Sequence, residues 1–250
     1  MRKLDLDQPV TKAFSSNAPD CVVVQWNYDG EERTTFFYTK QTLEFGREST
    51  CDVCLRVEPV EVGANRDATL KISRRHFRVS VGGDVVQVVD LGSACGTSVG
   101  SVTLEPNKPF DLRDGELLTV ADCLKLLVRI EKENDKILSV RFRRVSNLSS
   151  TEYICLVERG TIDIGETSLL RLALTSARRG HTRTLDIGQD HNIGTPATIF
   201  VMDGGIHIKR TGNDTVIANQ TELAPDQSVP FSTEGIIQVG NSHFNIITPP

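Results

Sequence analysis

Ser73-Arg74-Arg75-His76-Phe77 is the stretch around which this chain is organised. Phe45-Gly46-Arg47 lies upstream of it and Asp90-Leu91-Gly92-Ser93-Ala94-Cys95-Gly96-Thr97 lies downstream, and each cluster adjoins an apolar segment. Together the clusters place guanidinium groups and a hydroxyl beside turns. A planar guanidinium can bind a phosphate through two parallel hydrogen bonds, and a serine hydroxyl can donate to another phosphate oxygen. The pattern predicts an anion-binding site built from loops.

The segments around these clusters have the composition of β-strands. Val22-Val23-Val24-Gln25-Trp26 and Thr34-Thr35-Phe36-Phe37-Tyr38 are separated by Asp29-Gly30, a pattern that predicts a hairpin. No sustained apolar repeat of 3.6 residues occurs before residue 130, so an all-β sandwich is expected. Further strands are predicted at residues 42–45, 53–55, 77–81, 85–90, 97–99, 117–120 and 124–130.

The two halves of the chain resemble each other. Thr42 to Glu48 aligns with Thr161 to Thr167, and the offset of 119 residues between Gly46 and Gly165 also aligns Leu118 to Ala121 with Ile237 to Gly240. We infer a tandem duplication. The charged segment 131–136 is interpreted as a short linker. The predicted organisation is a flexible tail at 1–20, one β-sandwich domain at 21–131 and a second at 137–250.

Composition limits the class of ligand. The 250 residues carry a formal net charge of -5, which argues against nonspecific nucleic-acid binding. A group of basic residues nevertheless lies between Gly46 and His76, and a local basic region on an acidic protein favours a specific anionic ligand. These residues are Arg47, Arg56, Arg66, Lys71, Arg74 and Arg75.

The six cysteines show no spaced disulfide framework, and Met1 to Asp5 lacks the apolar region of a signal peptide. With no apolar run long enough to cross a membrane, we expect a cytoplasmic protein without a membrane partner. No cofactor is expected.

The spaced motifs resemble the forkhead-associated (FHA) domain, a reader of phosphothreonine peptides, over roughly Val22 to Ile130. The motifs are the three clusters above with Ser49-Thr50-Cys51-Asp52-Val53-Cys54-Leu55 and Leu112-Arg113-Asp114-Gly115-Glu116-Leu117-Leu118. The resemblance implies a β-sandwich with binding loops at one end. It also implies a binding partner that contains phosphothreonine and belongs to a Ser/Thr kinase pathway.

By this resemblance Arg47 and Ser73 would contact the phosphate, Arg74 would reinforce the positive field, and His76 would brace the loops. Family members commonly carry an asparagine before the Gly-Thr pair, where this chain has Cys95, and the thiol is a weaker hydrogen-bonding group. A second familiar asparagine is Gly100 here. The predicted phosphopeptide-binding set is Arg47, Ser73, Arg74, His76, Ala94, Cys95, Gly96 and Thr97.

The second half lacks these groups. At the 119-residue offset Arg47 corresponds to Glu166, Ser73 to Asn192 and His76 to Thr195, and a competing register through Leu185 to Gln189 also lacks the arginine. A carboxylate would repel phosphate. We therefore expect a degenerate FHA-like domain with a structural or protein-interaction role.

The function predicted from the sequence is that of an adaptor, not an enzyme, which recruits partners phosphorylated by a Ser/Thr kinase. One alternative is a phosphate-independent scaffold or dimerisation module. Another is a thiol enzyme or redox sensor that uses Cys95 with His76. Cys51 and Cys54 could form half of a zinc site, but no second cysteine pair matches them, so buried thiols and no metal are expected.

Overall fold

The computed structural model describes residues 21–28, 31–145, 150–157, 161–164, 172–175, 182–185, 197–202, 205–213, 215–230, 235–239 and 242–247. The predicted tail at residues 1–20 lies outside this set. So do Glu166, Asn192 and Thr195, the residues of the second half that correspond to the predicted site. Among the described residues there is no helix with the length and apolar character needed to cross a membrane.

Strands dominate both halves, which confirms the all-β prediction. Side chains that alternate between buried and more exposed positions allow a strand to pack one face on a core; in residues 77–82, Phe77, Val79 and Val81 are the buried ones. The elements before residue 145 are β1 (Cys21–Tyr28), β2 (Glu31–Tyr38), β3 (Thr42–Gly46), β4 (Val53–Cys54), α1 (Gly63–Lys71), β5 (Phe77–Gly82), β6 (Val85–Asp90), β7 (Thr97–Val99), β8 (Val102–Thr103), β9 (Pro109–Leu112), β10 (Leu117–Val120), β11 (Leu124–Glu133) and β12 (Lys136–Arg144).

The remaining elements are also strands. They are β13 (Ser150–Leu156), β14 (Thr161–Ile164), β15 (Leu172–Thr175), β16 (Thr182–Leu185), β17 (Ala197–Met202), β18 (Gly205–Arg210), β19 (Val216–Ala218), β20 (Thr221–Glu222), β21 (Ser228–Pro230), β22 (Gly235–Val239) and β23 (Ser242–Ile247).

The described strands form one large sheet and three smaller ones. The large sheet has 12 strands in the order β20-β19-β22-β23-β1-β2-β13-β12-β11-β10-β7-β8. A five-stranded sheet has the order β4-β3-β5-β6-β9, a four-stranded sheet the order β14-β17-β18-β21, and β15 pairs with β16. The large sheet therefore runs through both halves of the chain.

Two buried clusters lie against this sheet. The first contains Phe45 and Phe77 from the five-stranded sheet together with Phe142 and Tyr153 from β12 and β13. The second contains Ile199 and Ile208 from the four-stranded sheet together with residues of β1 and β23. The middle strands serve both clusters, because alternate residues of a strand point to opposite faces: Tyr38 packs in the first and Phe37 in the second.

The interpretation of residues 131–136 as a linker is wrong. Strands β11 and β12 form an antiparallel hairpin in which Glu133 pairs with Lys136, and Asn134 and Asp135 at its turn have φ of 47° and 65°. Positive φ at two consecutive turn residues suits a two-residue β-hairpin. The hairpin delivers Ile137, Val140 and Phe142 into the first cluster, so the predicted boundary at residues 131–137 does not separate the two buried cores.

Helix α1 was not expected from the sequence. None of its residues is buried, so it carries none of the apolar periodicity on which a helix prediction relies. It is attached by side-chain contacts near its end, where the Thr69 hydroxyl accepts a hydrogen bond of 2.9 Å from the Val57 N–H. The helix fills the connection between β4 and Ser73.

Candidate functional site

The site begins where the end of β3 meets the segment 73–75. Backbone hydrogen bonds join Arg47 N–H to the Ser73 carbonyl at 3.1 Å and Glu48 N–H to the Arg74 carbonyl at 3.2 Å. The approach is so close that a Cβ atom placed on Gly46 would lie 2.0 Å from the Arg74 carbonyl oxygen. Glycine is needed here for its lack of a side chain, because both backbones are already fixed by hydrogen bonds. Two of the three sequence clusters are thereby held side by side.

His76 connects the segment 73–75 to the third sequence cluster, which runs from Asp90 to Thr97. Its imidazole is buried; Nδ1 accepts a hydrogen bond of 2.9 Å from the Ser73 N–H, and Nε2 lies 3.0 Å from the Gly96 carbonyl oxygen. These contacts define a neutral ring with its proton on Nε2. Burial lowers the pKa of His76, against the opposing effects of the Gly96 carbonyl and the Asp90 carboxylate. The bracing role expected for His76 agrees with this geometry.

Asp90 holds the sequence cluster from Asp90 to Thr97 together through hydrogen bonds. Its Oδ1 accepts hydrogen bonds from the N–H groups of Gly92 and Ser93, at 2.9 and 2.8 Å, and its Oδ2 accepts from the hydroxyls of Ser93 and Thr97, at 2.7 and 2.5 Å. Burial alone would raise the pKa of this carboxyl, but the Ser93 and Thr97 hydrogen bonds outweigh it and the pKa is lowered. An aspartate that caps its own turn in an Asp-x-Gly-Ser sequence is a recognisable signal, yet Asp90 was missing from the predicted set.

Arg47 presents a cation that no carboxylate of the described residues neutralises. Its side chain is half-buried, its Nε is fully buried and lacks a hydrogen-bond partner, and it makes no ion pair with any carboxylate in the described part of the chain. A buried donor without a partner costs free energy, about 1–3 kcal/mol. Such a group is therefore an indication that a ligand completes its hydrogen bonds.

The two neighbouring arginines of the motif differ sharply. Arg75 forms a bidentate pair with Glu44, with Nε to Oε2 at 2.7 Å and NH2 to Oε1 at 2.5 Å. Arg74 is exposed and forms no ion pair within the described residues. Strand alternation turns Glu44 towards Arg75 on the outer face of β3. Of the three arginines in these motifs, Arg47 and Arg74 are thus the two without a carboxylate partner among the described residues, and their contact with an anionic ligand stays a prediction.

The remaining predicted residues form the rim of the site. The half-buried Ser73 accepts a hydrogen bond of 3.0 Å on Oγ from the Ala94 N–H, which leaves its hydroxyl proton to be donated elsewhere. Ala94 and Cys95 are exposed, and Gly96 has φ of 76°, a left-handed conformation that favours glycine. Thr97 differs from the prediction, since it is buried and its hydroxyl is donated to Asp90, so it supports the loop from beneath.

The thiols of Cys51 and Cys54 take part in the same scaffold. Cys51 Sγ lies 3.2 Å from the Arg74 carbonyl oxygen and Cys54 Sγ lies 3.5 Å from the Arg47 carbonyl oxygen. Burial raises the pKa of Cys51, so this thiol stays protonated and can donate. In the described residues no group of three or more His, Cys, Asp and Glu side chains is arranged to hold a metal ion.

The end of helix α1 contacts the turn between β10 and β11. Cys123 Sγ lies 3.4 Å from the Ala68 carbonyl oxygen. Burial raises the pKa of Cys123, the Lys71 ammonium opposes this and Cys95 adds to it, so both residues lie within electrostatic range of Cys123. The sequence showed Lys71 only as one member of a basic region.

Comparison with known proteins gives one family match and a set of similar folds. The model of the FHA domain family matches residues 43–121. No curated protein sequence matches the chain. A structure from a study of phosphothreonine-dependent FHA domain interactions shares 24% identity, covering 45% of this chain and 99% of that chain, with a TM-score of 0.31.

Two further structures are similar in the same way. The FHA domain of an Arabidopsis thaliana protein shares 21% identity, covering 46% of this chain and 88% of that chain, with a TM-score of 0.32. The FHA domain of the CT664 protein from Chlamydia trachomatis shares 17% identity, covering 40% of this chain and 88% of that chain, with a TM-score of 0.28. From the family match, the chain contains a forkhead-associated domain, which spans residues 43–121.

Proposed function

We propose that this chain is a phosphothreonine-peptide-binding adaptor, which recruits a partner after a Ser/Thr kinase has phosphorylated it. FHA domains are interaction modules rather than enzymes, and they are known examples of phosphopeptide recognition by arginine side chains. The proposal for the whole chain is that it binds and catalyses no reaction.

The observation that carries the proposal is the unpaired guanidinium of Arg47 beside Ser73. Arg75, two positions further along the same motif, is neutralised by Glu44, whereas Arg47 and Arg74 have no carboxylate partner within the described residues. A phosphothreonine carries about -1.5 to -2 charges and three acceptor oxygens at neutral pH. Two arginines and one hydroxyl supply donors for those oxygens. An unmodified threonine lacks the phosphate oxygens and their negative charge.

The loop that contains Ala94 and Cys95 would contact the peptide on either side of the phosphothreonine. Ala94 and Cys95 are exposed next to the Ser73 hydroxyl, so a bound peptide would run past them. Cys95 has a weaker hydrogen-bonding group than the asparagine common at this position. We expect phosphate recognition to be retained and the contact with the peptide backbone to be weaker.

The test is a comparison of matched peptides. An oriented phosphothreonine peptide library and the same library without phosphate are offered to the full chain, and the best sequence is measured by titration calorimetry. We expect binding only of the phosphorylated form and its loss in Arg47→Ala. Arg75→Ala is the control, because it removes an arginine of the same motif that is already paired, and its affinity should stay within about threefold of the wild type.

Micromolar binding retained by Arg47→Ala, in a variant whose unfolding transition matches the wild type, would contradict the proposal. Equal binding of the phosphorylated and unmodified peptides would instead favour a phosphate-independent scaffold. The alternative of a Cys95 thiol enzyme finds no support at His76, because both of its ring nitrogens are already hydrogen-bonded to Ser73 and Gly96. Rapid stoichiometric labelling of Cys95 by iodoacetamide at neutral pH would support the thiol-enzyme alternative.

The second half is proposed to act as a support or a protein interface. Its strands continue the large sheet through β23, which pairs with β1. Binding of a phosphothreonine peptide to the Arg47→Ala chain at a second, weaker site would contradict the proposal that only the first half reads phosphate.

A further inference from the structure

Two hairpins occupy the centre of the large sheet. One is β1–β2 at the start of the chain, and the other is β12–β13 in the middle. The first hairpin is joined through β1 to β23, and the second is joined through β12 to β11. They meet each other where β2 and β13 run parallel, with Thr34 beside Thr151. Each hairpin thus extends the sheet beyond the last strand of one half: β1 pairs with β23, and β12 pairs with β11.

The register between β1 and β23 corresponds to the register between β12 and β11. In the first, Val23 lies opposite Ile247 and Gln25 lies opposite Asn245. In the second, Arg141 lies opposite Arg129 and Arg143 lies opposite Leu127. Adding 118 to Gln25 gives Arg143, and adding 118 to Leu127 gives Asn245. The contact of the first hairpin with the second half is therefore the counterpart, residue for residue, of the contact of the second hairpin with the first half.

The other strand pairs follow the same correspondence. Thr97 pairs with Val120 and Val216 pairs with Val239, both shifted by 119. Phe77 pairs with Asp90 and Ala197 pairs with Arg210, both shifted by 120. Shifts that differ by one residue are what small changes of loop length produce. By this correspondence β1–β2 is the counterpart of β12–β13, although each completes the half to which the other would belong.

Each hairpin contributes to both buried clusters, with Tyr38 of the first hairpin in the first cluster and Ile154 and Leu156 of the second hairpin in the second. Phe142 and Tyr153 of the second hairpin pack edge-to-face against Phe45, with ring centroids 5.2 and 6.3 Å from that of Phe45. Val22, Val24 and Phe37 of the first hairpin lie in the second cluster with Phe244. Each hairpin therefore supplies buried side chains to the opposite half.

The chain connections explain this arrangement. Strand β11 turns directly into β12 through the two residues Asn134 and Asp135, so the second hairpin reaches the edge of β11 by local pairing. Because β12 occupies this edge of β11, the edge is not available to the β1–β2 hairpin. The equivalent edge of β23 would otherwise remain open, and an open strand edge is a liability that proteins cover.

We propose that the two halves are copies of one sandwich that have exchanged their hairpins within a single chain. The phosphothreonine-reading half is completed by β12–β13, and the C-terminal half has an edge that takes the β1–β2 hairpin of the same molecule. The linked hairpin has a high effective concentration at this edge, which favours exchange within the chain over exchange between two copies. This inference is independent of whether the site binds phosphothreonine.

The test uses pairs of introduced cysteines in the full chain. Residues directly opposite in an antiparallel pair are close enough for a disulfide. Exchange predicts that Gln25→Cys with Asn245→Cys forms a disulfide under mild oxidation, as does Arg143→Cys with Leu127→Cys, the local hairpin that serves as positive control. The crossed pairs, Gln25→Cys with Leu127→Cys and Arg143→Cys with Asn245→Cys, should stay reduced. Peptide mapping by mass spectrometry distinguishes these bonds from any made by the six native cysteines.

We expect most of the 25/245 variant to be cross-linked within one chain, and almost none of the crossed variants. A disulfide in either crossed pair would show that each half keeps its own hairpin and would overturn the proposal. A 25/245 bond that joins two chains, seen as a dimer on a non-reducing gel, would overturn exchange within the chain. Failure of the 25/245 bond to form while the positive control forms would do the same.

Discussion

The Nδ1 atom of His76 accepts a hydrogen bond of 2.9 Å from the backbone N–H of Ser73. Through this bond, Ser73, whose hydroxyl we propose to contact the phosphate, is fixed by a buried ring, whose other nitrogen reaches the carbonyl of Gly96. The segment 73–75 and the loop that contains Gly96 are thereby held in a fixed relative position. An uncharged imidazole is required, since a proton on Nδ1 would face the Ser73 N–H.

We expect His76 to make the protein less stable in mild acid. Its folded-state pKa is lowered by burial from the ordinary value of 6.5, so below about pH 6.5 the unfolded chain takes up a proton that the folded chain does not, and stability falls as pH falls. His76→Phe should remove this contribution and cost about 1–3 kcal/mol at pH 7.5, because two buried backbone groups lose their partner. Urea unfolding of both proteins from pH 7.5 to 5 measures the difference. An unchanged pH dependence in His76→Phe would contradict this role.

Gly46→Ala should damage the site through the backbone alone. The added Cβ would lie 2.0 Å from the Arg74 carbonyl oxygen and 3.0 Å from the Arg75 Cα, so the segment 73–75 must move. We expect a loss of about 1–3 kcal/mol in stability and at least tenfold weaker binding of the selected phosphopeptide. Gly82→Ala is the control, because nothing lies within 4 Å of its added Cβ. Wild-type stability and affinity in Gly46→Ala would show that the close approach is not required.

Cys95→Asn should strengthen phosphopeptide binding. The exposed thiol is a poor hydrogen-bonding group, while an amide can both donate to and accept from a peptide backbone. One additional hydrogen bond of about 1 kcal/mol corresponds to an affinity gain of roughly fivefold. Calorimetry with the selected peptide measures the gain, and Cys95→Ser controls for removal of the thiol. Equal or weaker binding by the asparagine variant would contradict a peptide-facing role for position 95.

Phe142→Ala should weaken the binding site from the opposite side of the core. Phe142 is fully buried against Phe45, which lies two residues before Arg47. Loss of this ring should cost about 3–5 kcal/mol and reduce phosphopeptide affinity. The matched control is Phe244→Ala, an equally buried ring in the second cluster, which should leave the affinity unchanged when both variants are assayed below their unfolding transitions. Equal losses of affinity would indicate that the two cores act as one unit.

Much of the fold could be read from local pattern. The strands predicted at 42–45, 77–81, 85–90 and 117–120 coincide with β3, β5, β6 and β10 within one residue, because alternation and turn residues act over a few positions. Helix α1 was missed because it buries no residue. The short strands β8 and β9 were missed too, since their edge positions carry little apolar signal.

The candidate site was predicted by residue type more fully than by role. Backbone hydrogen bonds hold Arg47 beside Ser73 and Arg74, and their contact with a phosphate stays a prediction. Thr97, in contrast, is buried beneath the loop, and Asp90 holds that loop in place. The spacing of a motif indicates which residues gather at a loop, but burial decides which of them can touch a ligand.

The sequence by itself determined the strands, the turn chemistry and the motif of the FHA domain, because each depends on residues near one another in the chain. Only the tertiary structure decided that Glu44 neutralises Arg75 while no described carboxylate neutralises Arg47, and that β1 pairs with β23 and β12 with β11. Both outcomes depend on which charges and which strand edges meet across long separations. Side-chain direction along a strand fixes the first, and the pairing of strand edges that are far apart in the sequence fixes the second.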